Sequence, residues 1–151
     1  MYYFIVNPAS GSSRGRTVWN TICAELDRNH ISYKSFLLSR RGEARALAAS
    51  LAQSKQPFTL VVVGGDGTIN ETVDGLFTGL AHGGLSDSQE EIRSDENAVI
   101  PHITFGCIPT GSGNDFVRGL HLAKDPIEAL HAILNPKELR PVNIGITQSG
   151  Q

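Results

Sequence analysis

The residues that could do chemistry cluster in three turns. In Gly64-Gly65-Asp66-Gly67-Thr68-Ile69-Asn70-Glu71, three glycines fall within four positions around a carboxylate. Missing side chains let the backbone approach a ligand closely, and a carboxylate on so tight a turn can act as a base or hold a metal ion. Thr68 and Glu71 also fit a T-x-x-E capping box, which would explain both without any ligand. Such a box does not need Gly64, Gly65, Asp66 and Gly67, so the run is read as a functional turn. Asn7-Pro8-Ala9-Ser10-Gly11-Ser12-Ser13-Arg14-Gly15 is small, polar and glycine-bearing. It could aim several backbone N–H groups at one anion, helped by the dipole of the helix that follows. An ordinary strand-to-helix loop with serine caps explains it equally well. Ile108-Pro109-Thr110-Gly111-Ser112-Gly113-Asn114-Asp115-Phe116-Val117-Arg118 offers paired glycines, a hydroxyl and an Asn-Asp pair. Capping alone would explain Ser112 or Asn114. Gly111 and Gly113 together suggest close backbone approach.

Such turns need a scaffold, and the apolar pattern supplies one. Residues 2–6 read as a buried strand, and 16–29 as a helix with Val18, Trp19, Ile22, Cys23 and Leu26 on one face. A strand is expected over 31–38 and a helix over 43–53, on the spacing of Ala44, Leu47, Ala48 and Leu51. Residues 59–63 form a continuous, mostly β-branched run, as in a parallel strand covered on both faces. Helical spacing returns over 68–78, then residues 79–97 read as an exposed polar excursion. A strand over 103–108, a short helix over 115–120 and a helix opened by Asp125-Pro126 follow. Val142, Ile144 and Ile146 alternate as a last strand. The expected fold is α/β: a three-layer sandwich with a mostly parallel sheet and helices on both faces. Ligands of such sheets bind beyond the carboxyl ends of the strands, where all three turns fall.

Composition narrows the chemistry. With 151 residues, 40% hydrophobic and 19% charged, the chain suits one soluble globular domain. A formal net charge of −2 gives no field that would gather nucleic acid. The two cysteines, Cys23 and Cys107, lack zinc-ligand spacing and read as small core residues. Few cysteines fit a reducing cytosol. The five histidines (His30, His82, His102, His121, His131) are scattered and read as surface or structural residues. The N-terminus lacks signal-peptide character, and no apolar run is long enough to span a bilayer, so membrane contact would be peripheral. Neither a Walker A pattern nor a dinucleotide G-x-G-x-x-G occurs. Backbone donors, with basic help from Arg14 or Arg16, would have to carry phosphates.

Taken together, Asn7-Pro8-x-Ser10-Gly11, Gly64-Gly65-Asp66-Gly67-Thr68-x-Asn70-Glu71 and Pro109-x-Gly111-Ser112-Gly113-Asn114-Asp115-Phe116 resemble the signature turns of the diacylglycerol kinase catalytic domain family. That family includes bacterial lipid kinases and sphingosine and ceramide kinases. It shares the middle motif with NAD kinases and, more distantly, phosphofructokinases, so an NAD kinase/phosphofructokinase-like nucleotide-binding domain is implied. The resemblance implies ATP and Mg²⁺ as cofactors and phosphoryl transfer to a hydroxyl of diacylglycerol or a related lipid. It implies nucleotide contacts at Asn7, Pro8, Ala9, Ser10 and Gly11, at Ser39, at Gly65, Asp66, Gly67, Thr68, Ile69, Asn70 and Glu71, and at Ser112. Asp66 would be the catalytic carboxylate, tied to Mg²⁺ or to activation of the lipid hydroxyl. Ser112 stands where relatives usually carry Thr, which keeps the hydroxyl. Asn143 stands where relatives often carry Asp, which puts a carboxylate role there in doubt. Residues 1–151 would form the ATP-binding catalytic domain, with the β-rich lipid-binding second domain absent from this chain. A cytoplasmic protein with peripheral contact at the inner membrane face, and room for a homodimer, is expected. The alternatives are an NAD kinase-like enzyme with a soluble acceptor and a non-catalytic nucleotide-binding module.

Overall fold

A computed structural model describes residues 1–82, 102–142 and 144. Strands β1 (Tyr2–Val6), β2 (Tyr33–Leu37), β3 (Phe58–Gly64) and β4 (Ile103–Pro109) form one sheet in the order β2-β1-β3-β4. Every pairing is parallel; Val6 lies opposite both Leu37 and Val63. Helices α1 (Arg14–Arg28), α2 (Glu43–Ala52), α3 (Asp66–His82), α4 (Asp115–Gly119) and α5 (Pro126–Leu134) connect and cover the strands.

The side-chain period of two splits each strand between the faces. Phe4, Val6, Val61, Val63 and Ile108 pack with Val18, Trp19, Ile22 and Leu26 of α1 and with Ala129 and Leu130 of α5. Ile5, Leu60 and Phe58 pack with Ala44, Ala48 and Ala52 of α2 and Leu76 of α3. Leu60, Val61, Val62 and Val63 are all 0% exposed, which is why β3 reads as an unbroken apolar run. The α2–α3 contact is close because α3 offers bare backbone: a Cβ on Gly79 would stand 2.7 Å from the Ala49 Cα.

Several boundaries differ from expectation. Helix α3 starts at Asp66, so the glycine-rich run is partly its first turn. It continues to His82, so residues 79–82 are helical and not part of an excursion; 83–97 lie outside the described residues. Among the described residues, Val142 and Ile144 carry no strand pairing; Asn143, Gly145 and Ile146 of the expected last strand lie outside the described residues. Asp125 caps α5 as its sequence predicts, accepting from the Ile127 and Glu128 amides at 3.0 Å each.

His30 and His121 have structural positions. Each has a left-handed φ, 54° and 53°, one residue past the capping residue of a helix end, Asn29 or Leu120. The amides of Ile31 and Leu122 then return to the carbonyls of Leu26 and Val117, closing Schellman motifs.

Candidate functional site

Strand order reverses between β1 and β3: β2 lies to one side of β1, while β3 and β4 lie to the other. A doubly wound sheet opens a crevice at such a switch point. The loops leaving these two strands are residues 7–13 and the Gly64-Gly65 turn, and the turn after β4 lies next to them.

Direct contacts tie the three turns together. Asn7 Nδ2 donates to Thr68 Oγ1 at 3.0 Å across the switch point. Ser10 Oγ donates to the Asn7 carbonyl at 2.7 Å and lies 2.5 Å from Thr110 Oγ1. Since the only Ser10 hydroxyl proton goes to Asn7, Thr110 donates to Ser10. Thr110 is 0% exposed and Ser10 half-buried, so this pair is a part-buried bond between the first and third turns. Backbone approach needs glycine at two places. Gly11 has φ +57°, and a Cβ there would run into the Thr110 carbonyl oxygen. A Cβ on Gly111 would come within 2.8 Å of the Gly65 Cα.

Asp66 has a role that the sequence did not reveal. Its Oδ2 accepts from the Asp115 amide and its Oδ1 from the Phe116 amide, each at 3.1 Å. It thereby caps α4 from another segment of the chain, where Asn114 makes no side-chain cap. Asp115 is exposed, and a Cβ on Gly113 would lie 3.2 Å from Asp66 Oδ2 and 3.6 Å from Asp115 Oδ2, so the two carboxylates are neighbours. Cys107 lies beneath; burial, and secondarily the Asp66 charge, push its thiol up to about 12.

The capping box does not form. Thr68 lies inside α3, where its Oγ1 accepts from Asn7. Glu71 Oε2 accepts the Gly42 amide at 3.0 Å, and its Oε1 lies 3.7 Å from Arg41 Nε. A tertiary partner has replaced the local one.

The other expected contacts divide by exposure. Ala9 is exposed, and its amide donates to Asn7 Oδ1 at 3.1 Å. Pro8 is half-buried, and its carbonyl accepts the Arg16 amide. Asn70, Ser112, Arg14 and Arg16 are exposed. Ile69 is 4% exposed and packs with Val62, Cys107 and Val117, so its side chain serves the core. Ser39 follows β2, and its hydroxyl donates to Glu43 Oε1 at 3.0 Å. Glu43 was not singled out from the sequence, and Thr110 and Asp115 were given no role within the third turn. The signals were a hydroxyl directly before paired glycines for Thr110 and the Asn-Asp pair for Asp115.

What remains available is backbone. The amides of Gly11 and Ser12 on the first loop, and of Asp66 and Gly67 at the α3 N-terminus, have no acceptor among the described residues. The amides of Gly65, Gly111, Ser112 and Gly113 have none there either, and unmatched donors gathered beside a helix N-terminus can hold an anion. Among the described residues, no group of three or more His, Cys, Asp or Glu forms a metal cage. Magnesium carried by phosphates needs only one or two protein carboxylates, and the Asp66–Asp115 pair fits that requirement.

A doubly wound α/β domain with its loops gathered at the switch point has the architecture of nucleotide-binding domains. Comparison with known proteins names the family. Residues 1–146 match the diacylglycerol kinase catalytic domain, and the chain belongs to that family. YtlR of Bacillus subtilis (strain 168) is 30% identical over 138 residues, covering 89% of this chain and 38% of its own length. The diacylglycerol kinase of Staphylococcus carnosus (strain TM300) is 28% identical over 141 residues, covering 93% of this chain and 39% of its own. A crystal structure described as a diacylglycerol kinase from Bacillus anthracis strain Sterne superposes with a TM-score of 0.60 at 24% identity, covering 87% of this chain and 40% of that one. The chain thus spans about two fifths of the length of these relatives.

Proposed function

We propose that this chain holds ATP with Mg²⁺ for phosphoryl transfer to a hydroxyl of diacylglycerol or a related lipid. The observation that carries the reading is the set of unmatched amides of Gly11, Ser12, Asp66 and Gly67 at the switch point. Phosphoryl transfer asks little covalent chemistry of a protein; positioning and neutralisation of charge do most of the work. The four amides grip phosphate oxygens, and Arg14 and Arg16, exposed on the first turn of α1, add positive charge beside them. Asp66 with Asp115 would hold Mg²⁺, which when bound neutralises charge on the phosphates. Both Asp66 oxygens keep a lone pair beyond their amide contacts, so Asp66 also orients the attacking hydroxyl. The Ser10–Thr110 and Asn7–Thr68 bonds keep the loops in register, so the amides are in place before the nucleotide arrives.

Family membership supports the lipid acceptor, since the Staphylococcus carnosus relative is named a diacylglycerol kinase. The acceptor would be met through a further β-rich domain, at the cytoplasmic face of a membrane touched only peripherally. Calorimetric titration of ATP and Mg²⁺ into this chain tests the nucleotide reading. Saturable binding that weakens on Gly11→Ala is the expected result. A folded chain that binds no ATP would refute it.

A further inference from the structure

A cavity of about 560 Å³ lies at the end of the sheet away from the switch point, where β1 begins and where α1 and α5 end. Volumes of this order hold small molecules. Helix α1 has 15 residues, so about 22 Å of helix separates this cavity from the first loop. No residue in its wall belongs to the three turns.

The polar groups of the wall present acceptors. Glu25 of α1 carries the charge. Hydrogen bonds from His131, first, and from Asn29 hold its carboxyl below the ordinary range, so it is ionised at neutral pH. An ionised carboxylate only accepts, so His131 Nε2, 3.2 Å from Glu25 Oε1, is the donor. In the neutral imidazole the other ring nitrogen, Nδ1, is then an acceptor. Asn29 spends both Nδ2 hydrogens on Glu25, at 2.8 Å to its carbonyl and 3.0 Å to Oε1, which leaves the Asn29 Oδ1 as an acceptor. Glu25 Oε2 meets Arg28 and keeps a lone pair beyond that contact. The Arg28 side chain is 72% exposed against 15% for Glu25, so its charge is screened by solvent. Both helix C-caps, Asn29 of α1 and Asn135 of α5, stand in the wall, and a helix C-terminus carries about half a negative charge.

Such a wall attracts positive charge and repels anions. It does not suit a bare metal ion, since among the described residues no group of three or more His, Cys, Asp or Glu is gathered. The rest of the wall, from Tyr2, Ile31 and Leu134, is largely apolar. A hydrocarbon chain suits that surface, and a primary ammonium brings three N–H donors to the acceptors.

We propose that this cavity binds a small primary alkylammonium, with its nitrogen on Glu25 and the acceptors of Asn29 and His131 and its hydrocarbon against Tyr2, Ile31 and Leu134. It is a second binding site, at the opposite end of α1 from the nucleotide loops, and it does not depend on what those loops hold.

The test is ¹⁵N NMR titration of this chain, at fixed ionic strength, with n-butylammonium and in separate samples with n-butanol and butyrate. Butylammonium should shift the amides of Glu25, Asn29, Ile31 and Asn135 saturably. Butanol keeps the hydrocarbon without the charge and should bind at least about tenfold more weakly, as loss of a charge-assisted hydrogen bond gives. Butyrate should not bind. Glu25→Gln should weaken butylammonium by about tenfold, with circular dichroism showing that the variant folds. His131→Lys sets the chain's own ammonium beside Glu25 and should block butylammonium, which keeps the proposal testable if Glu25→Gln does not fold. ATP with Mg²⁺ should leave the butylammonium shifts at these amides in place. No saturable shift, equal binding of butanol, undiminished binding to either variant, or displacement by ATP overturns the proposal, and none of these results bears on whether the switch-point amides hold ATP.

Discussion

Asp66 does structural work that can be separated from its proposed chemistry. Each carboxylate oxygen accepts one backbone amide at the start of α4. Asp66→Asn keeps one acceptor oxygen but turns an N–H₂ toward the second amide, donor against donor. Hydrogen bonds to a charged group contribute about 1.5–3 kcal/mol, and loss of a helix cap costs about 0.5–2 kcal/mol. Asp66 is only half-buried, so water can reach the abandoned amide. The expected cost is therefore about 1–2 kcal/mol, which for a domain of this size lowers Tm by about 3–6 °C. Urea and thermal unfolding, followed by far-UV circular dichroism, measure it without any substrate. Stability within about 0.3 kcal/mol of wild type would refute the capping role. The consequence for function is that a loss of turnover in Asp66→Asn cannot by itself establish a base: the variant also releases the third turn from the second. Nucleotide affinity and stability must be read on the same sample.

Other contacts give independent tests. Gly79→Ala forces a Cβ toward the Ala49 backbone in α2 and should destabilise the chain by about 1–3 kcal/mol in urea titration. Thr110→Val removes a buried hydroxyl that donates to Ser10 and should cost about 1 kcal/mol by the same assay. His121→Gly relieves a left-handed φ of 53° at a helix end and should raise stability by about 0.5–1 kcal/mol. Cys107, its thiol pushed up to about 12 chiefly by burial, is protonated at pH 8 and should resist alkylation, with mass spectrometry showing its labelling only in denaturant. Hydrogen bonds from the Ser39 amide and hydroxyl hold the Glu43 carboxyl below its ordinary value of 4.5, so the Ser39 contact is complete above that pH. As pH falls through the lower folded value the contact is lost, and the Ser39 amide resonance should shift there in NMR titration.

The scaffold was legible because its signals are local. The burial of β3 is written in Leu60, Val61, Val62 and Val63, and the start of α5 in Asp125-Pro126. What local spacing could not reveal was which distant partner each polar side chain takes. Thr68 and Glu71 have capping-box spacing, yet Asn7 lies 61 positions from Thr68 in the chain and claims its hydroxyl. Gly42, 29 positions from Glu71, claims that carboxylate. The α3 boundary was misplaced for a related reason. Glycines read as a turn, but here Gly67 continues a helix whose first residue, Asp66, is fixed from outside by its hold on α4.

Those same distant contacts explain why the site could be seen at motif level and not residue by residue. In the three turns the polar side chains largely bind one another or the backbone: Ser10 with Thr110, Asn7 with Thr68, Asp66 with α4. Groups tied up in this way fix the loops, while the amides of Gly11, Ser12, Asp66 and Gly67 have no acceptor among the described residues. A motif of hydroxyls and carboxylates thus need not mean that each of them touches ligand. The division predicts different signatures. Ser10→Ala and Thr110→Val should alter stability and nucleotide affinity together, because they act through loop position. Gly11→Ala should also weaken affinity through its clash with the Thr110 carbonyl, but it moves the donating amide itself. Its loss of ATP affinity should therefore exceed that of the hydroxyl variants at equal loss of stability, and equal losses would mean that the amides are not the grip.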